Sequence, residues 1–346
     1  MPLYTYTLDQ AADWDAVVTR FARHDVYYLS GYVKAFQLHG DGQPLLFYYE
    51  GDGLRGIHVV MKRDIAAEAA FAPAIPRDTL FDFITPYGYG GWLLEGEGEK
   101  APLLAAYEEW CRAHHIVSEF VRYHPLLHNT ADTEDFYETV PLGHTVAMDL
   151  ASPETVWANL TSKNRNMVRK AQKSGVTIHH GNDPERYKEF KEIYNRTMEA
   201  DNARDYYYFG DPFYESIQKD LAANATLFWA EVEGLCIAAS IMLFANGQMH
   251  YHLSGSRREW QHLAPTNLLL YEAALWGCRH GCKSLHLGGG VGSREDSLYK
   301  FKSAFNRGEP HRFVIGKKIY LPQEYAQLTD INGPATGGDF FPAYRA

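Results

Sequence analysis

The sequence predicts an α+β protein of two tandem domains, residues 1–150 and 151–346, each a mixed, mainly antiparallel sheet flanked by helices. Three observations carry that expectation. Each half contains β-rich runs joined by tight turn signals, Gly51-Asp52-Gly53 in the first, Glu233-Gly234 and Asn246-Gly247 in the second. Each half then shows an apolar helix followed by one more strand, a crossover that implies local parallel pairing in an otherwise antiparallel sheet. The chain of 346 residues is long enough for two cores, with 46% hydrophobic and 22% charged residues.

In chain order, Ala12, Val17, Val18 and Phe21 space a helix over residues 9–21, and residues 31–39 form a second, short helix with Lys34 in its middle. Residues 44–50 and 54–63 read as a hairpin, and 79–85 as a further strand running into Pro86-Tyr87-Gly88-Tyr89-Gly90-Gly91-Trp92. That loop joins glycines, which admit close approach of a ligand to backbone, with Tyr87 and Tyr89, which can stack on a sugar or base; a plain turn is the other reading. Residues 100–114 give a helix with Leu103, Leu104 and Tyr107 on one face, 116–123 a strand, and 142–150 another.

The second half opens on Ser152-Pro153, an N-cap with proline at the first helical position, and the helix is expected to run to Ser174 with Gly175 as its stop. Arg165 and Arg169 share one side of it, and Lys173 lies one turn further. In a chain of net charge −10 these are candidates for phosphate contact, against the alternative of a solvated face near a helix C-terminus. Helices start at Asp183-Pro184 and Asp211-Pro212. Between them Tyr206, Tyr207 and Tyr208 cannot all face a core, so at least one phenol should look into a cleft beside Arg204. Residues 226–233, 235–245 and 248–254 form a meander, and 264–280, nearly apolar all round, a buried helix.

Residues 284–287 are the strand that ends in four glycines, at 288, 289, 290 and 292. Leu298, Phe301, Lys302 and Phe305 follow at helical spacing, which places Lys302 beside an aromatic stripe at the mouth of that loop. A cation beside backbone N–H groups at Gly289 and Gly290 suits a substrate that develops negative charge; a snorkelling lysine on an ordinary connection is the alternative. Residues 312–320 give a last strand, before a tail expected to be irregular.

The net charge argues against general nucleic-acid binding, though a local basic patch could still hold one phosphate-rich partner. No apolar run reaches membrane-spanning length and the N-terminus lacks the features of a signal peptide, so a cytoplasmic protein is expected. The four cysteines, Cys111, Cys236, Cys278 and Cys282, are too scattered for a disulfide framework, and the Cys278, His280, Cys282, His286 group lacks zinc-finger spacing, so no metal is expected.

The ordered motifs resemble the FemAB family, peptidoglycan branching enzymes built from two acyltransferase domains of the GNAT (acyl-CoA N-acyltransferase-like) type. They are Tyr-Gly-Tyr-Gly-Gly at 87–91, Asn-Arg-Asn-Met-Val-Arg-Lys-Ala at 164–171, His-Tyr-His-Leu-Ser-Gly-Ser at 250–256, Ala-Pro-Thr-Asn-Leu-Leu-Leu at 264–270, and the glycine run with Phe301-Lys302 downstream. The resemblance implies transfer of an acyl or aminoacyl group from an activated donor, aminoacyl-tRNA or acyl-CoA, to an amine of a cell-wall peptide or amino sugar, with no tightly bound cofactor. It implies that Lys302, after Phe301, stabilises negative charge at the reacting carbonyl. Lys34, Arg204 and Tyr208 would contact acceptor phosphates, and Tyr251 would line the channel between.

Two departures stand out. Trp260 to Pro265 occupies the place where a coenzyme-A-binding domain has its glycine-rich turn, and the long charged helical hairpin of some relatives is missing from the second half. The general base is open among Glu295, Asp296, His252 and the substrate itself. The rival readings are a coenzyme-A-dependent N-acetyltransferase and a non-catalytic glycan- or peptide-binding protein on the same fold. Two fused domains make a monomer the expected state.

Overall fold

In the computed structural model, residues 3–333 and 340–346 are described. The strands in chain order are β1 (Leu3–Tyr6), β2 (Gln43–Gly51), β3 (Leu54–Asp64), β4 (Phe81–Ile84), β5 (Leu93–Gly96) and β6 (Ile116–Arg122). They continue as β7 (Glu138–Asp149), β8 (Thr177–Gly181), β9 (Ala225–Val232), β10 (Leu235–Ala245), β11 (Gln248–Ser256), β12 (Ser284–Gly288) and β13 (His311–Ile319). The fold is α+β, as expected, and divides into two compact units, Met1–Leu142 with Phe313–Ala346, and Gly143–Arg312.

This division corrects the expected boundary at 150/151. Residues 146–149 of β7 pair with β12, so they belong to the second unit, while Ile315 to Ile319 of β13 pair with β6 in the first. Both pairings join strands distant in sequence, and no local pattern reports such a partner.

In the first unit the order is β1, β2, β3, β4, β6, β13, antiparallel except for the β4/β6 pair, with β5 also on β3. The core gathers Trp92, Tyr107, Tyr123 and Tyr320 around the sheet. At its centre Glu119 is fully buried. One carboxylate oxygen meets His58 Nε2 at 2.5 Å, and the other accepts from the hydroxyls of Tyr107 (3.1 Å), Tyr137 (3.0 Å) and Tyr320 (2.5 Å). A buried carboxylate is tolerated only when its oxygens are satisfied in this way.

The second unit repeats the plan as β8, β9, β10, β11, β12, β7, antiparallel except for β11/β12. The helix Pro265–Arg279 buries Leu268, Leu269, Leu270, Ala273 and Ala274 in that unit's core, as its nearly uniform apolar sequence predicts.

Three local expectations change. The helix predicted over 152–174 is two helices, Pro153–Asn159 and Ser162–Lys173, because Leu160 is extended (φ −64°, ψ 140°) and the Thr161 hydroxyl caps the second by accepting from the Asn164 amide at 3.2 Å. The tail predicted as irregular contains the helix Pro322–Asn332. Strands β1, β5 and β8 are short pieces of four, four and five residues that the sequence pattern did not single out.

Candidate active site

The candidate site in the second unit grows from the end of β12. Leu285 and Leu287 anchor the strand in the core, and Gly288 turns the chain at φ 77°, a left-handed conformation that favours glycine. The loop then folds back on itself. A Cβ at Gly290 would lie 2.0 Å from the Arg294 carbonyl oxygen and 2.4 Å from Asp296 Oδ1, so that position admits no side chain.

Asp296 N-caps the helix Ser297–Ser303: its Oδ1 accepts from the Tyr299 amide at 2.9 Å and its Oδ2 from the Val291 amide at 3.0 Å. Hydrogen bonds from backbone amides, Tyr299's foremost, hold this carboxyl below the usual carboxylate range. Each oxygen of Asp296 thus serves the cap, and the lowered pKa makes this carboxylate a weaker base than a free one.

Lys302 is the buried residue of that short helix, 9% exposed. Its Nζ donates to the Gly289 carbonyl at 2.7 Å. Burial lowers its pKa to about 8, opposed by the negative charge of Asp296. An ammonium has three donors, and Gly289 is the one hydrogen-bond acceptor it has among the described residues. Lys302 and Gly289 are therefore brought together as the sequence suggested, but through the carbonyl of Gly289 and not through amides shared with Gly290.

Phe301 is half-buried and meets Phe305 edge-on at 5.3 Å, fixing the apolar side of the helix in the core. At the far end the Ala304 carbonyl accepts from the Thr161 amide (3.0 Å) and from Asn164 Nδ2 (3.2 Å). Asn164 Oδ1 in turn accepts from Asn267 Nδ2 at 2.8 Å. Asn164, 1% exposed, was not singled out from the sequence, although the Thr161-x-x-Asn164 spacing of a capped helix start was there to find.

Tyr251 stands on β11 opposite Met242 and packs partly buried against the same core, where burial raises its pKa. The neighbouring His252 is pushed down to about 3 by burial first and His250 second, so it is a neutral imidazole near pH 7 and a poor base. Glu295 lies 3.4 Å from His144 and is exposed.

The basic helix behaves differently from expectation at one position. Arg165 turns its guanidinium back on the preceding helix end, donating to the Leu160 carbonyl at 2.8 Å and the Trp157 carbonyl at 3.4 Å. That satisfies carbonyls orphaned by the break, so Arg165 is spent on the fold. Arg169 lies over the Trp157 ring at 5.1 Å, and Lys173 is exposed in the last turn. Arg204 is exposed ahead of the single turn Asp205–Tyr207, with Tyr207 and Tyr208 half-buried beside it.

The remaining predicted residues lie in the first unit. Tyr87 stacks on Phe36 at 5.4 Å, on the helix Ser30–His39 that carries Lys34, and the Arg122 guanidinium lies over its ring at 5.6 Å. Tyr89 meets Tyr27 (5.7 Å) and Phe313 (5.6 Å) edge-on, and burial raises its pKa. Gly88 is required here, since a Cβ would come within 2.4 Å of the Tyr27 ring. The loop and the Lys34 helix are thus one packed aromatic group.

Known proteins resemble this chain in sequence and in fold. The family described as "Acetyltransferase (GNAT) domain" matches residues 159–302, from the break between the two helices to Lys302 itself. Most of the second unit is thus similar to a GNAT domain. A UDP-N-acetylmuramoylpentapeptide-lysine N(6)-alanyltransferase of Weissella viridescens is 28% identical over 171 residues, 48% of this chain and 49% of the relative. The matched stretch spans about half the length of that curated relative. The crystal structure of FemX superposes with a TM-score of 0.66 at 15% identity, covering 94% of this chain and 99% of that one. A conserved protein of unknown function from Bacteroides thetaiotaomicron follows at 0.58, with 11% identity and coverage of 92% and 100%. Taken together, the chain shares the fold of FemX, and about half of it is similar in sequence to the alanyltransferase.

Proposed function

We propose that the protein is an aminoacyltransferase that moves an activated acyl group onto an amine of a cell-wall peptide, and that Lys302 stabilises the charge developed in the step. The observation that carries this reading is the desolvated Lys302 ammonium, held at 2.7 Å on the Gly289 carbonyl. The acceptor amine attacks the ester carbonyl carbon, forming a C–N bond and a tetrahedral oxyanion. Collapse breaks the C–O bond, and the amine proton passes to the leaving oxygen. A buried ammonium aimed at such an oxyanion contributes about 3 kcal/mol to the rate.

Substrate-assisted proton transfer fits the side chains at hand, since Asp296 is committed as a cap and His252 is a weak base. The alanyltransferase relative suggests the ε-amine of lysine in a UDP-N-acetylmuramoyl pentapeptide as acceptor. Aminoacyl-tRNA is the donor this reading favours over acyl-CoA, because Trp260 to Pro265 replaces the glycine-rich pyrophosphate turn. Arg169 and Lys173 are the phosphate contacts left once Arg165 is assigned to the helix break. Among the described residues no helix is long and apolar enough to cross a membrane, and we place the reaction in the cytoplasm.

The test is transfer of radiolabelled alanine from alanyl-tRNA, or acetate from acetyl-CoA, to the lysine-containing precursor by the wild type and Lys302→Ala. Transfer from the tRNA that falls about a hundredfold in the variant supports the reading. Undiminished transfer by the variant removes Lys302 from it, and transfer from acetyl-CoA alone replaces the donor.

A further inference from the structure

The functional reading leaves one charged group unexplained in its placement. Asp296 uses both oxygens, one on each side of the loop: Oδ2 on Val291 of the glycine run and Oδ1 on Tyr299 at the start of the lysine helix. Gly290 is pressed against it, with Oδ1 2.4 Å from where a Cβ would stand. This carboxylate therefore fixes the separation between the loop that supplies the Gly289 carbonyl and the helix that supplies Lys302. At the other end the Asn164 amide and the Thr161 backbone hold Ala304. A seven-residue helix has too few internal hydrogen bonds to hold its own place, so these end contacts decide where the ammonium sits.

We propose that Asp296 is the positioning residue of Lys302, setting its place through the cap. Its negative charge, at the same time, favours the ammonium form. This rests on the role given to Lys302 above. Other charges nearby are engaged elsewhere. Glu295 faces His144 at 3.4 Å, Arg294 turns to the Val291 carbonyl at 3.4 Å, Arg165 is bonded to the Leu160 carbonyl, and Arg169 lies on Trp157. Asp296 is the charge whose effect on Lys302 is felt beyond burial, and it acts to keep the proton on.

The test separates this proposal from the proposed reaction. In the full-length protein labelled with [ε-13C]lysine, Lys302 is assigned by its loss in Lys302→Arg and titrated by NMR. Asparagine is also a good N-cap, so Asp296→Asn keeps the Tyr299 contact that starts the helix while removing the charge and the second acceptor, the one that holds Val291. The Lys302 midpoint should fall by roughly half a pH unit or more, and the alkaline limb of kcat should move with it. The kcat of Asp296→Asn should drop about tenfold with KM unchanged. Asn164→Ala, which loosens the far end without touching charge, should lower kcat while leaving the titration in place.

An unchanged Lys302 midpoint in Asp296→Asn overturns the proposal, and so does an equal shift in Asn164→Ala. A shifted midpoint in a protein that transfers no acyl group from any donor supports the hold of Asp296 on Lys302 and overturns the proposed reaction instead.

Discussion

The two units share a strand plan and differ at one loop. In each, the strand after the crossover helix pairs in parallel with its neighbour, β6 with β4 and β12 with β11. After β6 the space is filled with packed polar groups. Asn129 donates to the carbonyls of Gly90 (2.9 Å) and Trp92 (3.0 Å) and accepts from the His124 amide (2.9 Å), while His124 lies 3.4 Å from the fully buried Asp25. After β12 come glycines and a buried lysine with one acceptor. The same frame carries a network of paired polar groups in one unit and, in the other, an under-satisfied charge of the kind the proposed reaction uses.

Four experiments break or sharpen that contrast. The largest effect is expected from Lys302→Met, which should reduce kcat by about a hundredfold to a thousandfold and yet stabilise the protein by up to about 3 kcal/mol in urea unfolding. The gain arises because the desolvated ammonium, with its pKa brought down to about 8, is costly to bury. In the first unit Asn129→Ala should do the reverse, costing about 3 kcal/mol of stability by orphaning three buried backbone groups while leaving transfer kinetics unchanged.

The third is pH. If the ammonium is the working form, kcat falls about tenfold per unit once pH rises through about 8. The stability contribution runs the other way. The folded state releases this proton at about 8 and the unfolded chain near its ordinary value of 10.5, so the penalty is full below 8 and fades as pH rises through that window. Calorimetry on wild type and Lys302→Met across pH 7 to about 10 should therefore show the difference between them shrinking. The smallest effect is Arg165→Ala, which should cost about 1 kcal/mol of stability with donor affinity unchanged, whereas Arg169→Ala with Lys173→Ala should weaken donor binding more at low salt.

What the sequence made legible was local. The turns at Asp52-Gly53, Glu233-Gly234 and Asn246-Gly247 all carry positive φ at both residues, the backbone those residue types announce. Lys302 was legible because the glycine run and the helical spacing lie within one short stretch. The destinations of β7 and β13 were not, because strand pairing across most of the chain leaves no periodic trace. The helix break at Leu160 was hidden for a related reason: no glycine or proline marks it, and it is secured by Ala304, far along the sequence.

A residue-level sign of duplication lies in the sequence. Trp110 and His114 stack at 3.7 Å with the histidine Nδ1 2.8 Å from the Trp110 carbonyl, and Trp276 and His280 repeat this at 3.8 Å and 2.8 Å. Each pair ends its crossover helix, and the next residue, His115 or Gly281, has φ of 57° or 74°. The Trp-x-x-x-His spacing is the residue-level repeat that the halves' low identity concealed.

The return of β13 to the first unit has a bearing on how the polypeptide matures. On the ribosome, Tyr320 reaches Glu119, and Arg345 reaches the buried Asp82, only after every residue of the second unit has been made. The half synthesised first must therefore wait with Glu119 short of one of its partners and Asp82 held by Arg63 alone, while the half synthesised later already holds all its strands. A released fragment ending just beyond Arg312 should resist protease in its later portion and be cut in its earlier one, an inversion of the usual vectorial order.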